Sequence, residues 1–224
     1  MNFAFSEEQD EFRELLRRFV SEQWPVAESR RLGETETGYE PAVWKQMAEE
    51  LGLQGLVIPE VHGGQGFGML ELGIALEEFG RELAGGPFFA SACLASFAIQ
   101  NCANQDECAD LLPGLAAGDV IATLGVDAGL AVNGDRLSGR LPWCIDPANA
   151  SLLLIGTGDA LYAVDAGEAS VEAAEAVDLT RKYGHIVLDG ARGRRLGLGR
   201  DVATGLQKTC LLYTSDAADD SSVV

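Results

Sequence analysis

The sequence predicts an α+β fold, with an N-terminal all-α helical domain over residues 1–118 and a small antiparallel β-barrel or sandwich domain over 119–209. Three observations carry this prediction. In the first half, apolar residues recur at three- and four-residue steps in successive blocks. Near Gly118 the pattern changes to short β-type runs parted by Gly, Asn and Asp turns. All helices first and all strands afterwards is the order of an α+β chain, not of an alternating one.

The helices follow in order. Ser6 with Gln9 makes a capping-box start. Phe12, Leu15, Leu16, Phe19 and Val20 then form one apolar face, which Trp24-Pro25 ends. Val26 to Tyr39 holds Gly33 and Gly38 and reads as part helix, part loop. Pro41 suits a first helical position, and Val43, Trp44, Met47, Ala48 and Leu51 make a stripe closed by Gly52. Met69, Leu72, Leu76, Phe79 and Leu83 give a third firm helix, with Glu77-Glu78 read as its solvated side. Ala90–Ile99 is apolar nearly all round and predicts a buried helix. A short amphipathic helix over Asp106–Leu112 is expected to close at Pro113-Gly114.

The strands are read at Val120–Val126, Leu137–Ile145, Ser151–Ile155, Ala160–Val164 and Ile186–Leu188. Asn133-Gly134-Asp135, Gly156-Thr157-Gly158-Asp159 and Asp189-Gly190 supply turns between them. The Ala- and Glu-rich stretch from Ala166 to Val177 reads as a loop or a short helix. From Cys210 the periodicity stops. Residues 210–219 resemble the translation of a transposon-end sequencing adapter, so 210–224 are expected to be a non-native tail.

Composition narrows the function. The 224 residues are 47% hydrophobic and 23% charged, which fits a globular chain able to bury a core without covalent staples. A net charge of -19 argues against nucleic acid, whose binding needs Lys and Arg on phosphates. No apolar run reaches the roughly 18 residues of a membrane span, and the acidic start lacks a basic leader, so the cytoplasm is the default compartment. Five scattered cysteines and two histidines favour buried thiols over a metal site or a disulfide framework.

Pro59-Glu60-Val61-His62-Gly63-Gly64-Gln65-Gly66-Phe67-Gly68 is the densest motif. Its glycines mark tight turning and close approach. Gly64-Gln65-Gly66 opens a dinucleotide fingerprint, but Met69 holds the last glycine position and Pro59 interrupts the preceding run, so that reading is weak. Taken alone, the string reads as a structural turn between helices.

Several strings in order resemble the acyl-CoA dehydrogenase family. They are Phe5-Ser6-Glu7-Glu8-Gln9, the Leu53–Gly68 stretch with its Pro-Glu-x-x-Gly-Gly-x-Gly, Leu76–Arg81, and Leu111–Asp119 leading into the β-domain. The likeness covers most of 3–209. It implies FAD as cofactor, α,β-dehydrogenation of an acyl-CoA, an electron-transfer partner and a homo- or hetero-oligomer when full length. It also implies that the carboxylate base lies in a later helical half, so no catalytic residue is named and the chain reads as truncated.

By the same resemblance, the cofactor-facing candidates are Val126, Asp127, Trp143, Cys144 and Ile145. Trp143 falls where an aromatic ring packs on the flavin, although a plain core tryptophan is an equal alternative. Where the family carries Leu-Thr-Glu-Pro, this chain has Leu124-Gly125-Val126-Asp127, and Cys144-Ile145 replace Ile-Thr. Two hydroxyl donors are thereby lost, and an ionised Asp127 only accepts. Arg181, Lys182, Arg192, Arg194 and Arg195 are candidate phosphate contacts or a solvated loop, and Pro87–Phe97 borders the implied acyl pocket. Three readings remain open. They are a truncated FAD-dependent acyl-CoA dehydrogenase, a flavin-poor partner subunit of a heteromeric one, and a helical interaction module without activity.

Overall fold

Ser6 begins the first helix as its sequence requires. Its Oγ accepts from the Gln9 N–H at 3.3 Å, and Gln9 Oε1 accepts from the Ser6 N–H at 3.0 Å. The computed structural model describes residues 5–127, 129–198 and 200–214. Helix α1 (Glu7–Gln23) buries Leu16, Phe19 and Val20, then gives way to α2 (Val26–Gly33) after Pro25. Helix α3 (Pro41–Leu51) ends at Gly52, whose φ of +60° is the left-handed closure that glycine adopts without penalty. Helix α4 (Met69–Arg81) follows the glycine-rich loop. Trp24, Trp44, Met47, Leu72, Phe79 and Phe88 join these elements in one core, with Trp24 edge-on to Phe79 at 5.8 Å.

Three details of the helical half depart from the sequence reading. Residues Phe89–Ala95 are π-helical before α5 (Ser96–Cys102) resumes ordinary winding. Helix α6 (Gln105–Ala116) runs through Pro113 instead of stopping there. The carbonyl that Pro113 leaves without a donor belongs to exposed Ala109, while buried Leu112, Leu115 and Ala116 hold the last turn. Most consequentially, Glu77-Glu78 divides: Glu77 is exposed and Glu78 is buried. Neighbouring helix positions are 100° apart, so only one of them can face water here. The other lies under α1, where Arg13 reaches its carboxylate at 3.1 Å and Arg17 at 2.8 Å.

The second half curls one sheet of seven strands. They are β1 (Ala122–Val126), β2 (Ala131–Asn133), β3 (Arg136–Ile145), β4 (Leu152–Gly156), β5 (Ala160–Asp165), β6 (Ala169–Ala174) and β7 (Tyr183–Leu198). The spatial order is β1-β4-β5-β7-β3-β2, with β6 also on β7. All pairs are antiparallel except β1 with β4. Strand β7 is the hinge of the curl. Its first part pairs with β3 and β6, and its last part pairs with β5. The enclosed core includes Leu137, Leu141, Leu153, Ile155, Val164 and Ile186.

Strand β6 lies in the segment read as loop or helix. Its Ala and Glu favour a helix weakly, and a full ladder from Ala169↔Leu188 to Ala174↔Tyr183 outweighs that preference. Helix α7 (Arg200–Thr214) then returns to the helical half. It packs on α5, where Asn101 Nδ2 donates to Thr209 Oγ1 at 3.1 Å. The backbone stays helical through Thr214, past the point where the sequence lost its period. Residues 215–224 of the expected tail lie outside the described residues.

The two halves meet over an apolar seam in which Ile99, Leu112 and Leu115 touch Leu124, Leu154 and Leu161. Polar ties flank it. Lys182 Nζ donates to the Gly33 carbonyl at 2.6 Å, Asn149 Nδ2 to the Thr37 carbonyl at 2.8 Å, and Trp44 Nε1 to the Gly118 carbonyl at 2.9 Å.

Candidate functional site

The glycine-rich loop does not form an anion cradle. Its N–H groups are already used: Gly63 on Glu60, Gly64 on Pro59, Gln65 on Gly55, Gly66 on Ile58 and Phe67 on Leu56. A phosphate would have to displace hydrogen bonds that fold the loop. A Cβ at Gly64 would run into the Ile58 carbonyl, so that glycine serves close backbone packing. The structural reading of this string holds.

Four of the five cofactor-facing candidates converge on the crossing of β1 with β3, and the fifth continues from the end of β1. Thr123 Oγ1 on β1 donates to the Ile145 carbonyl at 2.6 Å, and the Gly125 Cα faces Leu141 and Cys144. Between Leu141 and Cys144 the ladder to β7 slips: Pro142 and Trp143 stand against the single residue His185. This is a β-bulge, a device that re-aims a side chain. Pro142 suits it, having no N–H to give the ladder.

Trp143 takes a φ of +55°, a left-handed conformation that a bulky residue keeps only when its surroundings enforce it. Trp143 is 61% exposed, which removes the alternative of a core tryptophan. Its ring lies 5.5 Å from the His185 ring and 6.5 Å from that of Tyr183, edge-on to both. Val126 is also exposed. The result is an apolar, aromatic surface open to a flat partner.

The polar candidates point elsewhere. Asp127 Oδ1 accepts from the Gly129 N–H at 2.7 Å, turning the carboxylate back on its own loop. Cys144 is buried, and burial pushes its thiol up to about 11, so it is an inert filler. Ile145 offers only its carbonyl, already taken by Thr123. The Thr123 hydroxyl, which sequence reasoning did not single out, is fully buried in that bond. These residues therefore fit the flat face of a flavin and supply no side-chain hydroxyl to its polar edge.

Sequence reasoning also missed Asp146, which follows the candidate strand. It is buried, has a φ of +53°, and one of its oxygens has no hydrogen-bond partner. The other accepts from Asn149 at 3.3 Å. Burial pushes its pKa up to about 6, against the pull of Arg181 and Lys182. The basic set is partly committed as well. Arg194 pairs with Asp110 at 2.7 Å, Arg192 with Asp135 at 3.6 Å, and Lys182 holds Gly33. Arg181 instead lines a groove of about 340 Å³ beside Met69, Leu72, Leu76, Phe89 and Phe97. Phe89 and Phe97 come from the segment expected to border an acyl pocket. Among the described residues, no helix is long and apolar enough to cross a membrane and no cluster of three side chains could hold a metal ion.

Residues 6–119 match the family model described as acyl-CoA dehydrogenase, N-terminal domain. The chain belongs to the acyl-CoA dehydrogenase family. Acyl-CoA dehydrogenase IpdE2 of Mycobacterium tuberculosis is 33% identical over 129 residues, 58% of this chain and 40% of that protein. Acyl-CoA dehydrogenase FadE27 of the same organism is 27% identical over 92% of this chain and 59% of its own length. The crystal structure of the ChsE4-ChsE5 complex from Mycobacterium tuberculosis superposes with a TM-score of 0.79 at 27% identity, covering 93% of this chain and 62% of that one. The chain thus spans about 40–60% of the length of these acyl-CoA dehydrogenase relatives. The helical half followed by a curled, mostly antiparallel sheet is the family's fold.

Proposed function

We propose that this chain supplies the flavin-facing and acyl-facing surfaces of an FAD-dependent acyl-CoA dehydrogenase, which removes hydrogens from the α and β carbons of an acyl thioester. The observation that carries the reading is the Trp143 bulge: a strained, exposed indole on the strand where the family packs an aromatic ring on FAD. Trp143 and Val126 would hold the ring system. A bound flavin would supply the hydride acceptor. The groove beside Arg181 is apolar enough for an acyl chain of an acyl-CoA. No residue here is assigned as the base, and reoxidation would fall to an electron-transfer partner.

A second reading has its own observation. Without hydroxyl donors at Asp127 and Ile145, the polar edge of a flavin loses two partners, as suits a flavin-poor subunit of a heteromeric dehydrogenase. The structurally similar ChsE4-ChsE5 is itself a complex. One titration separates the readings. Under the first, FAD binds the protein and Trp143→Ala weakens binding about tenfold or more, as expected for loss of one aromatic stacking partner. Under the second, absorbance and fluorescence titrations with FAD are flat for the parent and the variant alike. Tight FAD binding unaffected by Trp143→Ala would overturn the assignment of this platform.

A further inference from the structure

The exposed indole raises a question of mechanics: what keeps Trp143 in a left-handed conformation on an open surface? Its own hydrogen bond gives the answer. The Trp143 N–H points at Nδ1 of His185 on β7, at 3.4 Å, across the bulge. At that length the bond is weak but directional. An imidazole accepting through Nδ1 carries its proton on Nε2. The same ring also abuts the indole, 5.5 Å between centroids. His185 therefore meets Trp143 twice, once at the backbone and once at the side chain.

The surroundings leave His185 available for this task. On β7, Gly184, Ile186 and Leu188 face the core, so Tyr183 and His185 share the outer face. The residue opposite His185 on β6 is Glu172, whose carboxylate is held by Arg140 of β3 at 2.9 Å. The titratable and charged groups around the imidazole are thus Glu172 from β6, Arg140 from β3 and Tyr183 on its own strand. The structure records the first two bound to each other.

We infer that His185 is a positioning residue: as the neutral Nε2–H tautomer it fixes the Trp143 bulge and so presents the indole to its flat partner. The consequence for flavin rests on the function proposed above, whereas the control of Trp143 by His185 does not.

Three substitutions separate the two contacts. Asn at 185 keeps an oxygen near the Nδ1 position without the ring, Phe keeps a ring without the acceptor, and Ala removes both. The chain has three tryptophans, so 5-fluorotryptophan labelling gives three ¹⁹F resonances, and Trp143→Phe identifies the one of interest. In the parent, that resonance should be narrow. His185→Asn should keep it narrow. His185→Phe and His185→Ala should shift and broaden it, leaving the Trp24 and Trp44 lines in place. FAD affinity should fall about fivefold in His185→Phe, the value of one net hydrogen bond, with recovery in His185→Asn. An unchanged Trp143 resonance in His185→Phe and His185→Ala would overturn the inference. If the parent binds no FAD, the platform reading fails while the resonance arms still decide the role of His185.

Discussion

Replacing Asp146 by Asn should stabilise the protein by about 3 kcal/mol at pH 7.5 and by almost nothing near pH 3.5. The pKa of this carboxyl is pushed up to about 6 in the folded protein, from an ordinary value of 3.8. A folded-state value raised above the unfolded one favours the protonated form. Its stability contribution is complete below about 3.8 and is lost as pH rises through 6. The difference of roughly two units, at about 1.4 kcal/mol each, sets the magnitude. The physical cause is burial, which leaves one oxygen without a donor among the described residues and outweighs the opposing pull of Arg181, the Asn149 hydrogen bond and Lys182. Urea unfolding of parent and variant at both pH values measures the effect. Other carboxylates, such as Glu71 and Glu78, titrate with the opposite sign, but they are common to both proteins and cancel in the difference. A variant no more stable than the parent at pH 7.5 would refute this account of the site.

Asp146 also shows where sequence reasoning ends. It lies one residue beyond the candidate strand run, and nothing in Trp143-Cys144-Ile145-Asp146 says that the chain turns left-handed there and drives the acid inward. The order of elements, in contrast, was written locally. The Ser6 capping box, the Gly52 closure and the turn at Asn133-Gly134 are interactions within a few residues, so spacing alone reveals them. What stayed hidden depends on register between distant strands. His185 has no second histidine near it in sequence, and it acquires meaning only because two residues of β3 oppose one of β7. Ala169–Ala174 is a strand because β7 offers it a ladder. Trp143 was legible as a candidate through the family motif. That it is exposed and strained instead of buried filler was not. The fold, built from short-range rules, was more readable than a site assembled across the sheet.

Substituting Glu78 by Gln should cost about 3 kcal/mol, whereas Glu77→Gln should cost less than about 0.5 kcal/mol. The two residues differ in burial, not in chemistry. Glu77 is exposed, and an ion pair with Arg13 at the surface contributes little. Glu78 is 1% exposed and lies where three guanidinium groups converge, from Arg13 and Arg17 on α1 and from Arg81 one turn along α4. Removing its charge leaves the largely covered Arg13 group without its buried counterion and loosens the α1–α4 contact, which Gln9–Glu71 and Ser21–Glu82 also hold. Loss of one partner from a buried ion pair costs about 3–5 kcal/mol, and the partial exposure of Arg17 and Arg81 places this case at the lower end. The hydrogen bonds from Arg17 and then Arg13 hold the Glu78 carboxyl below its ordinary range against the penalty of burial. Its stabilisation is therefore present above about pH 4.5 and disappears as pH falls through the depressed value, the reverse of Asp146. Urea unfolding at pH 7 should place Glu78→Gln well below Glu77→Gln. Equal midpoints for the two variants would show that the arginines are satisfied by water. In that case apolar packing through Leu16, Phe19 and Leu72, with the Gln9–Glu71 and Ser21–Glu82 hydrogen bonds, would hold the first and fourth helices together.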